Sequence, residues 1–478
     1  MQMKNIRIIV NELSAKDEKG LNRTFYRPND KVARLFRMLR EGLSDADIME
    51  QLQLNENAYT TLRSRLRSKV QNYLISQVDG PKADVLNKLL SIDDTFFTQK
   101  PVIALTTLKK LEKELIRYDL ANELTVVYKY MKKLHLNSPE YYHYSQLYNR
   151  HVAYSLALDK AEDILGKYFK EYGEFHIMGK RDKQVELTVL FEEMKNVTAL
   201  YNSHRMQVYF AAMQIIHQLY VDDKALDTYD LQPIEDVLDM VAGTFKAYPK
   251  DSIYKHLRVL FKWLRFEYYL KYGIYSKARL TLGEIRNQIP DLLLHYESYG
   301  FPAQILPGML QLRLRQQADF TAMDINRMFL DFNYSHLSIP ARVTYLLFRA
   351  LVCYQAGEYA TTTKWLFYLN NEVSFKEYGS LHLEIKCLTA YLKYMQNDEL
   401  LFRQNYKAAQ RLLRLAGDDA PEHLRLFVQL LSILQRKIRH NKVEKIEQVL
   451  DKLNAIALPG LHPTLLLKPS FAELAVRL

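Results

Sequence analysis

The sequence predicts an all-α protein, a small helical head followed by a long stack of helical hairpins. Three observations carry this. The 478 residues include only 15 Gly and 14 Pro, fewer turn formers than strand-rich or phosphate-cradling α/β chains need. Apolar residues fall at helical spacing over most of the length. A pattern of turn, aromatic, small and aliphatic positions recurs beyond residue 81. The chain exceeds the roughly 250–300 residues at which one core stops growing, so it forms several domains or an elongated array. Hydrophobic residues at 48% and charged residues at 25% exclude a disordered or collagen-like chain.

Residues 1–24 read as an N-terminal arm, where the partial alternation of Ile6, Ile8, Ile9 and Val10 leaves a short strand or an ordered arm open. The head spans 25–80 and closes at the turn residues Val78, Asp79, Gly80 and Pro81. Its first helix has Val32, Leu35, Phe36 and Leu39 at i, i+3, i+4 and i+7, on one face. Gly42 ends that helix, and Ser44 caps a second one from Asp45 to about Leu52, with Asp47 at the positive end of the dipole. After Gln53, Leu54 and Asn55 a third helix begins, with Tyr59, Leu62, Leu66, Val70 and Tyr73 as its buried stripe.

From 81 to 457 the recurring pattern takes over. Gly273 is followed by Tyr275, Ala278, Leu282 and Ile285, and Gly357 by Tyr359, Thr362, Leu366 and Leu369, at matching offsets. Looser copies start at Ile116, Leu156 and Asn441. Ile116 to Leu156 is one unit of 40 residues; Gly273 to Gly357 and Gly357 to Asn441 are 84 each, two units of about 42. One hairpin cannot bury its apolar face alone, so neighbours stack into a curved solenoid whose concave face offers a long surface for a protein or peptide. Breaks are expected at Tyr248-Pro249-Lys250, Gly300-Phe301-Pro302 and Leu306-Pro307-Gly308. Residues 458–478, with Pro459, Pro463 and Pro469, are expected to leave the last helix as an extended strap.

Little in the chain suggests catalysis. No Gly-rich phosphate loop, zinc-protease helix pair, nucleophile elbow or Cys-rich ladder is present, so no enzyme activity, cofactor or metal is expected. His143 and His151 lie eight apart, where a metal-binding helix face favours i, i+4. Asp222, Asp223, Asp227 and Asp230 lack the Gly and terminal Glu of a calcium loop and read as a solvated turn. Cys353 and Cys387 are too few for a disulfide scaffold. The start lacks a secretory pattern, and the apolar stretch from Val343 to Tyr354 carries Arg349 and is too short to cross a membrane. A cytoplasmic protein with no membrane partner is the expectation.

Charge points to the head. The formal net charge is +11, and residues 1–80 hold fourteen Lys or Arg against ten Asp or Glu. From Asn57 to Val78 there is no acidic residue, while Arg63, Arg65, Arg67 and Lys69 are basic. Opposite Leu62 and Leu66 lie Thr60, Arg63, Ser64 and Arg67, with Asn57 and Thr61 beside them. That set can reach phosphates and base edges from a major groove, or form a solvated or protein-docking face.

The run from Arg37 to Leu54, with the Arg-Leu-Arg-Ser-Lys-Val that ends at Val70, resembles the helix-turn-helix of quorum-sensing-type response regulators and sigma factors. Gly42-Leu43-Ser44, Ile48 and Leu52 carry the match; Gln53 stands where that family prefers Gly, and Ala58-Tyr59 where it has Thr-Val. The hairpin pattern is similar to tetratricopeptide repeats, though units near 40 exceed their usual 34. The resemblances imply a regulator that contacts duplex DNA through Asn57, Thr60, Thr61, Arg63, Ser64 and Arg67 and binds a protein through its repeats. The alternative is a scaffold whose head docks on protein.

Overall fold

The computed structural model describes residues 5–13, 15–25, 30–76, 81–178, 181–201, 203–222, 224–249, 251–315, 321–330, 332–376, 378–417, 420–435, 442–456, 462–467, 469 and 474. Among them all regular structure is helical and no strand occurs. The chain divides into two compact units, Met1–Glu114 and Leu115–Leu478. The expected boundary at 78–81 falls largely outside the described residues, which omit 77–80.

Unit 1 contains α1 (Asn5–Glu12), α2 (Ala15–Thr24), α3 (Lys31–Arg40), α4 (Asp45–Leu52), α5 (Glu56–Ser76), α6 (Pro81–Leu90), α7 (Ile92–Thr98) and most of α8 (Pro101–Arg117). One cluster joins the predicted stripes of α3, α4 and α5 to Ile6, Val10, Leu13, Leu21 and Phe25. The arm is therefore two helices, and the strand option for 6–10 is corrected. Ile6 and Val10 lie on one face of α1, which packs onto α3, and Leu13 joins the same cluster just past the helix end. The alternation covered too few residues to compete with that stripe. Arg40 fixes the end of α1 by donating to the carbonyls of Val10 (3.2 Å) and Asn11 (3.0 Å) and pairing with Glu18 (3.0 Å).

Local chemistry sets the turns. Ser44 and Asp47 form a reciprocal capping box at the start of α4. Gly42 (φ 79°) and Gln53 (φ 51°) are both left-handed, and the following N–H groups, of Leu43 and Leu54, donate to Met38 and Met49, the helix-ending geometry that glycine adopts without strain. Gln53→Gly is accordingly expected to stabilise unit 1 by about 0.5–1 kcal/mol. Denaturant midpoints of the two proteins check this, and a lowered midpoint for the glycine variant would refute it.

Unit 2 continues with α9 (Ala121–Leu134), α10 (Glu140–Met178), α11 (Arg181–Leu200), α12 (His204–Ile216), a π-helical turn (His217–Val221), α13 (Ala225–Thr228), α14 (Ile234–Ala247), α15 (Ser252–Lys271), α16 (Tyr275–Ile285), α17 (Ile289–His295) and α18 (Ile305–Leu314). It then runs through α19 (Ala322–Met328), α20 (Ile339–Gln355), α21 (Tyr359–Glu372), α22 (Gly379–Met395), α23 (Glu399–Ala416), α24 (Glu422–Gln435), α25 (Lys442–Ala455) and α26 (Pro463–Leu467). Consecutive helices pack as hairpins, most extensively α9 on α10, α10 on α11, α15 on α16, α20 on α21 and α22 on α23.

The turns repeat one geometry. Asp119, Gly273, Gly357 and Asn397 have positive φ (56°, 71°, 78° and 59°), and the next residue's N–H donates to the carbonyl five positions earlier: Leu120 to Leu115, Ile274 to Tyr269, Glu358 to Cys353, Asp398 to Lys393. Ala278 and Thr362, the small positions of the pattern, are buried. Three expectations change. The turn near Ile116 lies three residues later, at Asp119. Leu156 lies inside α10, where no turn occurs, because nothing from 140 to 178 breaks the helix. The break at Leu306-Pro307-Gly308 lies within the first turn of α18, where proline's missing N–H costs little. Of the copy at Asn441 the anchor itself falls outside the described residues, while Ile446, Leu450 and Leu453 are buried on α25.

Two further features depart from the sequence reading. Within the strap, Pro463–Leu467 is the short helix α26, packed on α18, α20, α22 and α24. The long helix α10 also meets α20 and α22, far along the chain. Tyr378 donates to Glu174 (3.2 Å), Tyr172 to Gln304 (3.3 Å), and Gly173 faces Phe301 and Pro340 closely enough that a Cβ would lie 3.0 Å from the Phe301 ring. A strictly nearest-neighbour stack has no such contacts. In α20 the residues Val343 to Tyr354 are all buried. Arg349 is accommodated among them by donating to the Tyr345 hydroxyl and Asn326 Oδ1 (2.8 Å each) and by lying over the Trp365 ring, 4.6 Å from its centroid. No helix among the described residues is long and apolar enough to cross a membrane.

Candidate functional site

Helix α5 presents two contrasting sides. Tyr59, Leu62, Leu66, Val70 and Tyr73 are buried, whereas Asn57, Thr60, Thr61, Ser64 and Arg65 are exposed and Arg67 is half-buried. The hydroxyls of Thr60 and Thr61 donate back to the carbonyls of Glu56 and Asn57 (2.9 Å each), which leaves their oxygens able to accept from a ligand. Of the six residues singled out from sequence, five lie along this side.

Arg63 is placed elsewhere. Its guanidinium donates to Asp45 Oδ2 (3.0 Å), and its side chain is 13% exposed. Asp45 also accepts from Arg7 (2.6 Å) and the Tyr59 hydroxyl (3.0 Å), and Arg7 donates on to the Leu43 carbonyl (2.7 Å). This network fastens α1, the first turn of α4 and α5 together. Lys69 is likewise engaged, 3.6 Å from Asp30 and over the Phe25 ring. Partial burial raises the Asp45 pKa, but hydrogen bonds from Arg7 and Tyr59 and the charge of Arg63 outweigh it, so the carboxyl sits below its ordinary value. A depressed folded-state pKa adds stability that is full above the unfolded value near 3.8 and lost as pH falls through the folded one. Asp45→Asn should therefore lower stability at pH 7 and narrow its gap to the parent protein in acid. Urea midpoints at pH 7 and pH 3 test this; a gap that stays constant excludes the linkage.

Unit 2 carries a cleft of about 510 Å³ between α14, α15 and α16. Val241, Phe245 and Phe261 form an apolar floor beside Tyr269 and Leu280. Lys246, Arg258, Lys262, Arg265 and Lys277 edge it, against Glu284, which pairs with Lys262 (2.8 Å). Sequence patterning could not find this cleft, because its wall residues come from three helices and read individually as ordinary solvated positions.

His143 and His151 sit on α10, with His143 exposed and His151 Nδ1 bonded to the Leu147 carbonyl (2.9 Å). Asp222 accepts from the Lys224 N–H (3.0 Å), and Asp223 lies outside the described residues. Among the described residues, Glu384, His423 and His462 form the one acid-and-imidazole group compact enough to share an ion. They lie 39 residues apart in turn, near one hairpin unit, and that phase was the signal a repeat alignment could have used.

The architecture and these surfaces define an all-helical, hairpin-built chain. Comparison with known protein families, with curated proteins and with solved structures finds no match. The tetratricopeptide and helix-turn-helix readings therefore rest on this chain's own residues.

Proposed function

We propose that the chain is a non-enzymatic regulator whose head contacts duplex DNA through α5 and whose second unit takes an acidic protein segment in the α14–α16 cleft. The observation that carries the DNA reading is the exposed side of α5, where Asn57, Thr60, Thr61, Ser64, Arg65 and Arg67 follow one another with no acidic residue from 57 to 78. With α3 and α4 it makes three helices joined by tight turns, an arrangement suited to lying in a major groove. In the cleft, five cations around an apolar floor complement a segment bearing both carboxylates and apolar anchors.

The test is a salt titration of duplex DNA binding by the intact protein and by an Arg65→Glu, Arg67→Glu double variant. Each lost phosphate contact should flatten the salt dependence by about one unit of slope. Arg63→Glu is unsuitable, because it breaks the Asp45 network and the head with it. A second reading, a scaffold whose head docks on protein, is favoured by the engagement of Arg63 and Lys69 in internal pairs. Coincident titration curves for parent and double variant would leave that reading in place.

A further inference from the structure

We propose that Glu384, His423 and His462 bind one divalent transition-metal ion of the zinc class, and that the ion pins the start of α26 onto α22 and α24. Glu384 lies on α22, His423 in the first turn of α24 and His462 immediately before α26. Their ligand atoms all lie within 4.8 Å of one another. His423 Nε2 is 3.7 Å from Glu384 Oε1. That is too long for a hydrogen bond, yet close to the ~3.4 Å edge between two ligand atoms on a tetrahedral zinc with bonds of about 2.0–2.1 Å. The His423 and His462 rings are 4.7 Å apart and steeply inclined, at 68°, so they converge rather than stack.

Burial makes the arrangement costly without a cation. Glu384 is 3% and His423 1% exposed. Among the described residues neither ring nitrogen of His423 has a hydrogen-bond partner, and no Lys or Arg pairs with Glu384. A buried imidazole nitrogen left unsatisfied is destabilising, and a metal ion both bonds it and sets a full positive charge beside the buried carboxylate. The carboxylate is also oriented from outside, because the Thr464 N–H (2.9 Å) and hydroxyl (2.6 Å) both donate to its Oε1. Such outer partners aim ligating groups in metal sites. Two imidazoles with one carboxylate suit zinc, cobalt(II) or iron(II) rather than magnesium or calcium, which favour all-oxygen shells. Three protein donors leave one coordination position for a water, and the site lies far in sequence from the surfaces assigned to binding above, so it stands independently of them.

The full-length protein, stripped with chelator and dialysed, is titrated calorimetrically with Zn²⁺ and spectroscopically with Co²⁺. One Zn²⁺ per chain, a visible cobalt ligand-field band without a thiolate charge-transfer band, and a zinc-dependent rise in Tm are expected. His462→Ala removes a half-buried ligand, and Glu384→Gln keeps the acceptor that Thr464 uses. Each should weaken zinc binding more than about tenfold and abolish the rise in Tm, with helicity checked by circular dichroism. If one variant fails to fold, the other decides. Absence of saturable zinc binding, or equal affinity in parent and folded variant, overturns the proposal and leaves Glu384 and His423 as an internal acid–imidazole pair.

Discussion

Replacing Asp119 by alanine should destabilise unit 2 by about 3–5 kcal/mol, the cost of breaking a buried charged network from one side. Asp119 is 7% exposed and occupies the left-handed position before α9. Its Oδ1 accepts from the Tyr154 hydroxyl, and its Oδ2 from Ser203 Oγ (2.7 Å) and the Arg205 N–H (3.1 Å). One carboxylate therefore ties the turn before α9 to α10 and to the positive N-terminal end of α12. The Arg205 side chain, 10% exposed, donates to the Tyr118 carbonyl (3.3 Å) and lies 3.9 Å from Asp251. Alanine would strand these donors and strain the positive φ. Asp119→Asn keeps a side chain that tolerates this backbone and one acceptor oxygen, so its loss should be smaller. Urea unfolding followed by circular dichroism measures both, and an alanine variant within about 0.5 kcal/mol of the parent would show that the network is dispensable.

The second large effect concerns pH. Glu267 is fully buried on α15, where burial pushes its pKa up to about 8 despite hydrogen bonds from Tyr220 (2.6 Å) and Trp263 Nε1 (2.8 Å). Between the unfolded value of 4.5 and about 8, the folded state holds a proton that the unfolded state has released, so stability falls as pH rises through that window. At about 1.4 kcal/mol per unit, the loss contributed by this group is on the order of 4–5 kcal/mol. Glu267→Gln preserves an acceptor for Trp263 and should remove that slope, leaving the variant increasingly more stable than the parent from pH 5 to pH 8.5. Paired denaturant titrations test this. A stability difference that does not change with pH would mean that Glu267 titrates normally.

The elements were legible where one residue type settles the local conformation. Gly273 and Gly357 marked their turns because glycine adopts positive φ at no steric cost. Asn397 makes the same turn 40 residues after Gly357 and Asp119 makes it ahead of α9, yet both escaped notice, since asparagine and aspartate occur as readily in solvated loops. The stripes of α3 and α5 were readable because helical periodicity reports burial directly. Periodicity is silent on which polar residues meet. Arg63 looked as available as Arg67 until Asp45 and Arg7 came together around it, and Glu384, His423 and His462 became neighbours only through the packing of α22, α24 and the start of α26 on one another. The helical turn in the C-terminal strap was hidden by its prolines, one of which, Pro463, starts α26 at a position where proline is favoured.

The reach of α10 bears on how the protein comes to be folded during synthesis. A stack in which each hairpin touches only its neighbours can consolidate as it emerges and can be trimmed from one end. Here Tyr172, Gly173 and Glu174 find partners at Gln304, Phe301, Pro340 and Tyr378, so one side of α10 waits for well over a hundred further residues before it is covered. Long-range closure of this kind slows assembly and leaves apolar surface open meanwhile. A nascent chain stopped before α20 would therefore be a natural client for chaperones, and a ribosome pause in that interval would be costly.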